Sequence, residues 1–95
     1  MSHAANHVNI AAYKFVTLEN LEEMRAQYQA QCLDLGLKGT VLLTPEGINM
    51  FVSGPRENID RYLDWVRSDA RLADLEWKES LSAEQSHKRM LVKIK

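Results

Sequence analysis

The chain has 95 residues, of which 45% are hydrophobic and 26% are charged, and its formal net charge at pH 7 is −1. A chain of this length folds as one domain, whose core is too small to enclose a deep active-site cavity without a partner domain. The nearly balanced charge also argues against a domain that holds nucleic acid unaided, because phosphate contacts need clustered lysine and arginine.

Cysteine content and hydropathy narrow the class of protein further. Cys32 is the single cysteine, which excludes an internal disulfide and a multi-cysteine metal site and fits the reducing cytoplasm. No apolar run is long enough for a signal peptide or a membrane span. We expect residues 1–7 to be a disordered tail and residues 8–95 to be the folded domain. Because the chain stops inside a strand-like pattern, we also expect this domain to be part of a longer protein.

The first third of the chain predicts a strand followed by an amphipathic helix. Residues 8–16 are rich in β-branched and aromatic residues and alternate as a strand with both faces partly buried. Thr17 is the predicted N-cap of a helix of about five turns that ends before Gly36. The apolar stripe of this helix consists of Leu18, Leu21, Met24, Tyr28, Cys32 and Leu35. Cys32 is therefore predicted to be a core residue rather than a nucleophile.

The middle of the chain predicts a β-hairpin and a second helix. Residues 39–44 and 48–53 are two β-prone runs, and the Pro45-Glu46-Gly47 sequence between them is typical of a tight turn. Pro55 is suited to the first turn of the helix that follows. The apolar face of this second helix consists of Ile59, Tyr62, Leu63 and Val66.

The last third of the chain predicts two strands, at residues 75–80 and 89–95, joined by a polar loop. The order of elements is therefore β-α-β-β-α-β with an extra C-terminal strand. This order predicts an α+β fold, a ferredoxin-like or acylphosphatase-like sandwich in which two helices cover one face of an antiparallel sheet. The other face of the sheet is left open.

Alternation assigns side chains to the two faces of the predicted sheet. Ile48, Met50 and Val52 form the aliphatic side of their strand and should lie under the helices. The open face of the first and third strands then receives Tyr13, Phe15, Asn49, Phe51 and Ser53. Aromatic side chains are costly to leave in water, because burying each one stabilises by about 1.5–3 kcal/mol. We predict that the three aromatic residues form a docking face for another domain, with a platform for stacked bases as the alternative.

Basic residues concentrate near the end of the chain. They are His87, Lys88, Arg89, Lys93 and Lys95. These side chains are candidates for contact with the phosphates of an RNA. Lysines on an edge strand also prevent edge-to-edge aggregation, and the sequence leaves both explanations open.

Residues 38–49 read Lys-Gly-Thr-Val-Leu-Leu-Thr-Pro-Glu-Gly-Ile-Asn, and they follow Ala12-Tyr13-Lys14-Phe15 and a long helix. This stretch resembles the N-terminal domain of the oxygen-dependent tRNA uridine hydroxylases, a family of rhodanese-domain proteins. The most specific part of the resemblance is the hairpin formed by Pro45, Glu46, Gly47, Ile48 and Asn49, which we treat as the family hallmark.

The resemblance implies that the complete enzyme hydroxylates the wobble uridine of tRNA to 5-hydroxyuridine, with molecular oxygen as a reactant. It also implies that the essential cysteine lies in a rhodanese domain that follows. On this basis we expect no catalytic residue, no metal ligand and no cofactor in the present domain. The implied partners are the rhodanese domain of the same chain and tRNA, and no membrane is implied.

The predicted order of elements is also similar to that of acylphosphatase. Acylphosphatases hold phosphate with a glycine-rich loop after the first strand and an arginine at the start of the helix. Residues 16–20 take that place here, and Glu19, Glu22 and Glu23 bring negative charge that would repel a phosphate. An acylphosphatase-like hydrolase and an independent RNA-binding module are the two alternative functions.

Overall fold

The computed structural model describes residues 7–83 and 88–95 of the chain. Within these residues it contains five strands, two α-helices and one short 3-10 helix. In chain order these are β1 (His7–Phe15), α1 (Leu21–Asp34), β2 (Lys38–Thr44), β3 (Gly47–Pro55), α2 (Arg56–Arg67), the 3-10 helix (Ala70–Leu72), β4 (Trp77–Ser82) and β5 (Met90–Ile94). The predicted order of strands and helices is confirmed.

The five strands form one sheet in the order β4-β1-β3-β2-β5. The pairs β1–β3, β1–β4 and β2–β3 are antiparallel, whereas β2 and β5 are parallel. The sheet is therefore mixed, and the prediction of a wholly antiparallel sheet is wrong. The reason is topological. β5 runs opposite to β4 but lies at the other edge of the sheet, beside β2, which has the same direction.

Both helices pack on one face of the sheet and enclose the core with it. The buried residues of α2 are the four predicted ones, Ile59, Tyr62, Leu63 and Val66. Those of α1 are Met24, Tyr28 and Cys32. From the sheet, β3 contributes Ile48, Met50 and Val52, each 3% exposed or less. The predicted orientation of β3 towards the helices is therefore confirmed.

The start of α1 differs from the prediction because the preceding residues pair with the hairpin. The N–H of Val16 donates to the carbonyl of Glu46 (3.0 Å), and the N–H of Leu18 donates to the carbonyl of Pro45 (3.1 Å). These bonds hold the chain beside the hairpin, so it cannot yet turn into a helix. The prediction of Thr17 as the N-cap is therefore wrong, and the helix is shorter than predicted.

The predicted end of α1 at Gly36 is confirmed. Gly36 has a positive φ of 64°, a conformation that favours glycine. The N–H of Gly36 donates to the carbonyl of Leu33 (3.1 Å), and the N–H of Leu37 donates to that of Cys32 (2.9 Å). This pair of bonds is a Schellman motif, which satisfies carbonyls that the last turn would otherwise leave without partners.

β1 begins at His7, so this residue of the predicted tail belongs to a strand. Residues 1–6, the rest of that predicted tail, lie outside the described residues. Across the ranges 7–83 and 88–95, neither helix combines the length and hydropathy needed to cross a membrane.

Candidate interaction surface on the open sheet face

Three aromatic side chains lie on the sheet face opposite the helices. Tyr13 and Phe15 on β1 are 66% and 81% exposed, and Phe51 on β3 is 52% exposed. The rings of Tyr13 and Phe15 meet edge to face, with their centroids 5.7 Å apart. Phe51 lies opposite Ala11, which places it one diagonal step from Tyr13 in the antiparallel register. We call Tyr13, Phe15 and Phe51 the aromatic cluster.

An open groove of about 700 Å³ runs along the aromatic cluster towards β4. Glu76 and Lys78 line it on the β4 side. Nζ of Lys14 lies 2.6 Å from Oδ1 of Asp74, which ties the segment before β4 to β1. The hydrogen bond from Lys14 lowers the pKa of the Asp74 carboxyl, so this carboxylate is ionised at neutral pH.

The family-hallmark hairpin combines residues that serve the fold with residues that face solvent. Gly47 has no room for a side chain, because a Cβ atom would collide with the backbone carbonyl of Lys14. Ile48 is buried in the core. Asn49 and the turn residue Glu46 are exposed. The hairpin therefore leaves one amide and one carboxylate available for contacts outside the chain.

Ser53 is an exception among the residues assigned to the open face. The strand register places it on that face, opposite Asn9 and Lys38, but it is 0% exposed. Ser53 lies between Asn9 of β1 and Lys38 of β2, whose longer side chains flank it. Asn49, by contrast, remains exposed between the positions of Tyr13 and Leu42. Ser53 therefore lies on the predicted face, but alternation alone did not indicate that its side chain is buried.

Basic residues border the aromatic cluster on the same face. Lys93 of β5 is in register with Leu42, and Leu42 is in register with Asn49, so all three share the open face. Arg89 and Lys95 flank β5, and the bonds from the N–H of Gly39 to the carbonyl of Arg89 and from the N–H of Lys95 to that of Leu43 continue its pairing with β2, so alternation assigns them to the same side. Of the candidate RNA-contact residues, Lys88, Arg89, Lys93 and Lys95 are exposed, and His87 lies outside the described residues.

Sequence reasoning missed two further basic residues of the open face. Lys78 of β4 is in register with Ala11 and lines the groove. Lys38 of β2 is in register with Ser53. Strand alternation places the side chains of Lys38 and Thr40 on the same face of β2. The sequence did not indicate which face of β2 the helices cover.

Cys32 and the metal-ligating side chains of the described residues were the remaining candidates for chemistry. Cys32 is fully buried, and burial raises the pKa of its thiol to about 12. A thiol must ionise to attack a substrate or bind a metal, and burial at this position disfavours that ionisation at neutral pH. Throughout ranges 7–83 and 88–95, no three histidine, cysteine or acidic side chains cluster as metal ligands.

The start of α1 does not have the charge of a phosphate site. Its first turn carries Glu22 and Glu23. Arg71 reaches this end of the helix, but it donates two bonds to the Asp69 carboxylate, at 3.0 and 2.6 Å, and one to Oδ1 of Asn20 at 3.1 Å. A helix N-terminus attracts anions. At the start of α1, carboxylates of the chain itself already provide the negative charge.

The chain is similar to known proteins along almost its whole length. The sequence model of the family described as UPF0176 acylphosphatase like domain matches residues 7–95. A tRNA uridine(34) hydroxylase of Cupriavidus pinatubonensis is 57% identical over 88 residues, and one of Burkholderia mallei is 51% identical over 92 residues. Each alignment covers 93% of this chain but 31% of the relative. The chain thus spans about a third of the length of these relatives.

Solved structures share the fold at low sequence identity. The acylphosphatase from Bacillus subtilis is 17% identical with a TM-score of 0.67, covering 90% of this chain and 96% of that chain. The BLUF protein BlrB in its dark state is 15% identical with a TM-score of 0.74, covering 94% of this chain and 74% of that chain. These likenesses confirm the predicted acylphosphatase-like sandwich.

Proposed function

The chain belongs to the family of UPF0176 acylphosphatase-like domains, and from this membership we propose that it is the N-terminal domain of a tRNA uridine(34) hydroxylase. Relatives with that name share more than half of the aligned residues with the chain. In this proposal the complete enzyme converts the wobble uridine to 5-hydroxyuridine with molecular oxygen. It does so in the cytoplasm.

The present domain contributes to that reaction without supplying a catalytic group. Support comes from the described residues, in which Cys32 is buried as a thiol and the first turn of α1 is acidic. The chemistry then belongs to the remaining two thirds of the protein, where the family resemblance implies a rhodanese domain. The role left to this domain is to hold other parts of the enzyme or its substrate.

The observation that carries this role is the exposed aromatic cluster. Removal of one aromatic side chain from water contributes about 1.5–3 kcal/mol, and a contiguous apolar patch of this kind marks an interaction site. The partner we propose is the rhodanese domain of the same chain, because the relatives are about three times as long as this domain. Docking there would cover Tyr13, Phe15 and Phe51.

The complete enzyme provides the test of this proposal. 5-Hydroxyuridine is measured by mass spectrometry in digested tRNA after reaction with enzyme that has or lacks residues 1–95. We expect deletion to abolish most of the product. Phe15→Ala should weaken docking by roughly tenfold or more, because one buried aromatic side chain is lost.

The matched control for Phe15→Ala is Leu33→Ala. Leu33 is also a large exposed apolar side chain, 59% exposed, but it lies on α1 away from the open face. Leu33→Ala should leave hydroxylation unchanged. Undiminished hydroxylation after deletion of residues 1–95 would defeat the proposal.

Hydrolysis of acyl phosphates is a second candidate function, because the chain shares its fold with the acylphosphatase from Bacillus subtilis. We expect no turnover when this chain is incubated with benzoyl phosphate. The reason is that Glu22 and Glu23 occupy the helix start where a phosphate would need positive charge. Hydrolysis above the spontaneous rate would contradict the assignment of a non-catalytic domain.

A further inference from the structure

The cations of this domain fall into an ion-paired group and an unpaired group. Lys14, Arg25, Arg56, Arg61 and Arg71 each lie 2.6–3.1 Å from a carboxylate oxygen. Arg67 lies over the ring of Trp77, 5.5 Å from its centroid. Among the described residues, no ion pair involves Lys38, Lys78, Lys88, Arg89, Lys93 or Lys95. The unpaired cations belong to the sheet and to the segment leading into β5.

Carboxylates are correspondingly rare on the strands. Glu79 is the one acidic residue within the strand ranges β1 to β5. It is in register with Ile10, on the helix side, and it accepts two hydrogen bonds from Arg56 at 3.1 Å. Glu46 and Glu76 lie only at the margin of the open face, in the hairpin turn and before β4. The strand positions on the open face therefore carry lysines but no carboxylates that would neutralise them.

Four unpaired cations gather along one side of the open face. Gly39 is in register with Met90 in the parallel β2–β5 pair, so Lys38 and Arg89, one residue earlier, are neighbours. Lys93 and Lys95 follow on the same side of β5. At about 3.3 Å of rise per residue, they lie roughly 13 and 20 Å from Arg89 along the strand. We call Lys38, Arg89, Lys93 and Lys95 the basic edge.

Protection of a free strand edge does not account for the whole basic edge. Lysines on β5 could prevent sheet-to-sheet pairing, because β5 is an edge strand. Lys38, however, lies on β2, which is paired on both sides, with β3 and with β5. An interior strand needs no such protection. The alignment of Lys38 with the β5 cations indicates a surface built for an anionic partner.

We propose that the basic edge binds the phosphate backbone of RNA without reading its sequence. Lysine is a donor with a compact point charge, which suits phosphate oxygens and carries little base specificity. The aromatic cluster lies on β1 and β3, and β2 separates those strands from β5. Arg89, Lys93 and Lys95 therefore lie one strand further from the aromatic cluster than Lys38, which is on β2. The identity of this RNA as tRNA rests on the proposed function.

Salt dependence of tRNA binding by this chain tests the proposal. Fluorescence anisotropy with labelled tRNA gives the affinity at several salt concentrations for the parent and for Lys93→Gln. Each phosphate contact contributes about 0.7–0.9 to the slope of log affinity against log salt. We expect Lys93→Gln to reduce the slope by about that amount and the double variant Lys38→Gln/Lys93→Gln to reduce it by about twice as much.

Lys78→Gln is the matched control, because it removes one unpaired lysine from the same face but from β4, at the opposite edge. It should leave the slope unchanged. An unchanged slope in the double variant, or an equal reduction in Lys78→Gln, would overturn the proposal. Unchanged urea unfolding midpoints establish that the variants are folded.

The two proposals can fail separately. If hydroxylation survives deletion of residues 1–95 while this chain still binds tRNA through the basic edge, the proposed function fails and the basic edge stands. If the deletion abolishes hydroxylation but this chain does not bind tRNA at low salt, the proposal that the basic edge binds RNA fails and the proposed accessory role stands.

Discussion

The two faces of the sheet use the same kinds of residue in opposite ways. On the helix side, the ring of Tyr28 packs against those of Tyr62 and Trp65, with centroids 6.3 and 4.7 Å away, and the arginines are paired with carboxylates or an aromatic ring. On the open side, the rings of the aromatic cluster are solvated, and Lys38, Lys78 and Lys93 have no ion pair in the described part of the chain. Residues that stabilise this fold already have partners within it. The unpartnered ones lie on the side for which we propose contacts with other molecules.

The largest expected contrast between the two faces is in the loss of aromatic side chains. Tyr62 is fully buried and its hydroxyl lies 3.5 Å from the sulfur of Met50. Tyr62→Ala should destabilise by about 3–5 kcal/mol, because it leaves a cavity. Phe15→Ala should change the free energy of unfolding by no more than about 0.5 kcal/mol. Urea unfolding of this chain measures both.

A milder core variant keeps this comparison measurable if Tyr62→Ala leaves too little folded protein. Ile59→Val should cost about 0.5–1.5 kcal/mol at another fully buried position of α2. A loss for Phe15→Ala as large as that for Ile59→Val would show that the aromatic cluster stabilises this domain itself. The open face would then not be a surface reserved for a partner.

Ion pairing on the helix side should have a smaller and pH-dependent effect. Arg71→Ala removes the bonds to Asp69 and Asn20 and should cost about 0.5–1 kcal/mol at pH 7. The hydrogen bonds from Arg71 lower the pKa of the Asp69 carboxyl in the folded state. A carboxyl with a lowered folded pKa stabilises above its unfolded pKa, near about 4, and loses this contribution as pH falls through the folded value.

The difference in stability between the parent and Arg71→Ala should therefore shrink below about pH 4. Urea midpoints at pH 7 and pH 3 provide the comparison, and Arg25→Ala, which breaks an exposed pair with Glu22, is the matched control. A difference that stays constant over this range would contradict the assigned role of the Asp69 carboxylate.

The smallest expected effect on stability belongs to Lys93→Ala. It removes a cation from the open face, as Arg71→Ala removes one from the helix side, but without an ion pair to break among the described residues. We expect a change within about 0.5 kcal/mol. Urea unfolding at low salt checks this, and a loss equal to that of Arg71→Ala would mean that Lys93 serves the fold.

Local patterns in the sequence predicted the elements whose stability is local. The four-residue apolar face of α2, the hairpin and the cap at Gly36 all follow from neighbours within a few residues. The open-face positions of Tyr13, Phe15 and Phe51 also follow from strand alternation, once Ile48, Met50 and Val52 are assigned to the core. Their docking role stays a prediction.

The sequence did not predict the features that depend on contacts between residues distant in the chain. α1 begins later than predicted because the N–H groups of Val16 and Leu18 donate to carbonyls of the hairpin. Ser53 lies beside Asn9 and Lys38, residues distant in sequence, and is buried, whereas Asn49 on the same face is exposed. The position of Lys38 in the basic edge depends on the pairing of β5 with β2. These two segments are about fifty residues apart in the chain, and no local pattern in the sequence specifies that they pair.

The attachment of β5 determines how this domain opens locally. β5 has five residues, and within residues 7–83 and 88–95 it pairs with β2 alone, through a parallel ladder that is slightly less stable per residue than an antiparallel one. Its detachment should cost less than global unfolding, so its amide hydrogens should exchange with solvent sooner than those of β1 and β3 at the centre of the sheet. A polyanion held by the basic edge would favour the attached state and slow this exchange. Slower exchange of the β5 amide hydrogens would thus indicate that a polyanion is bound at the basic edge.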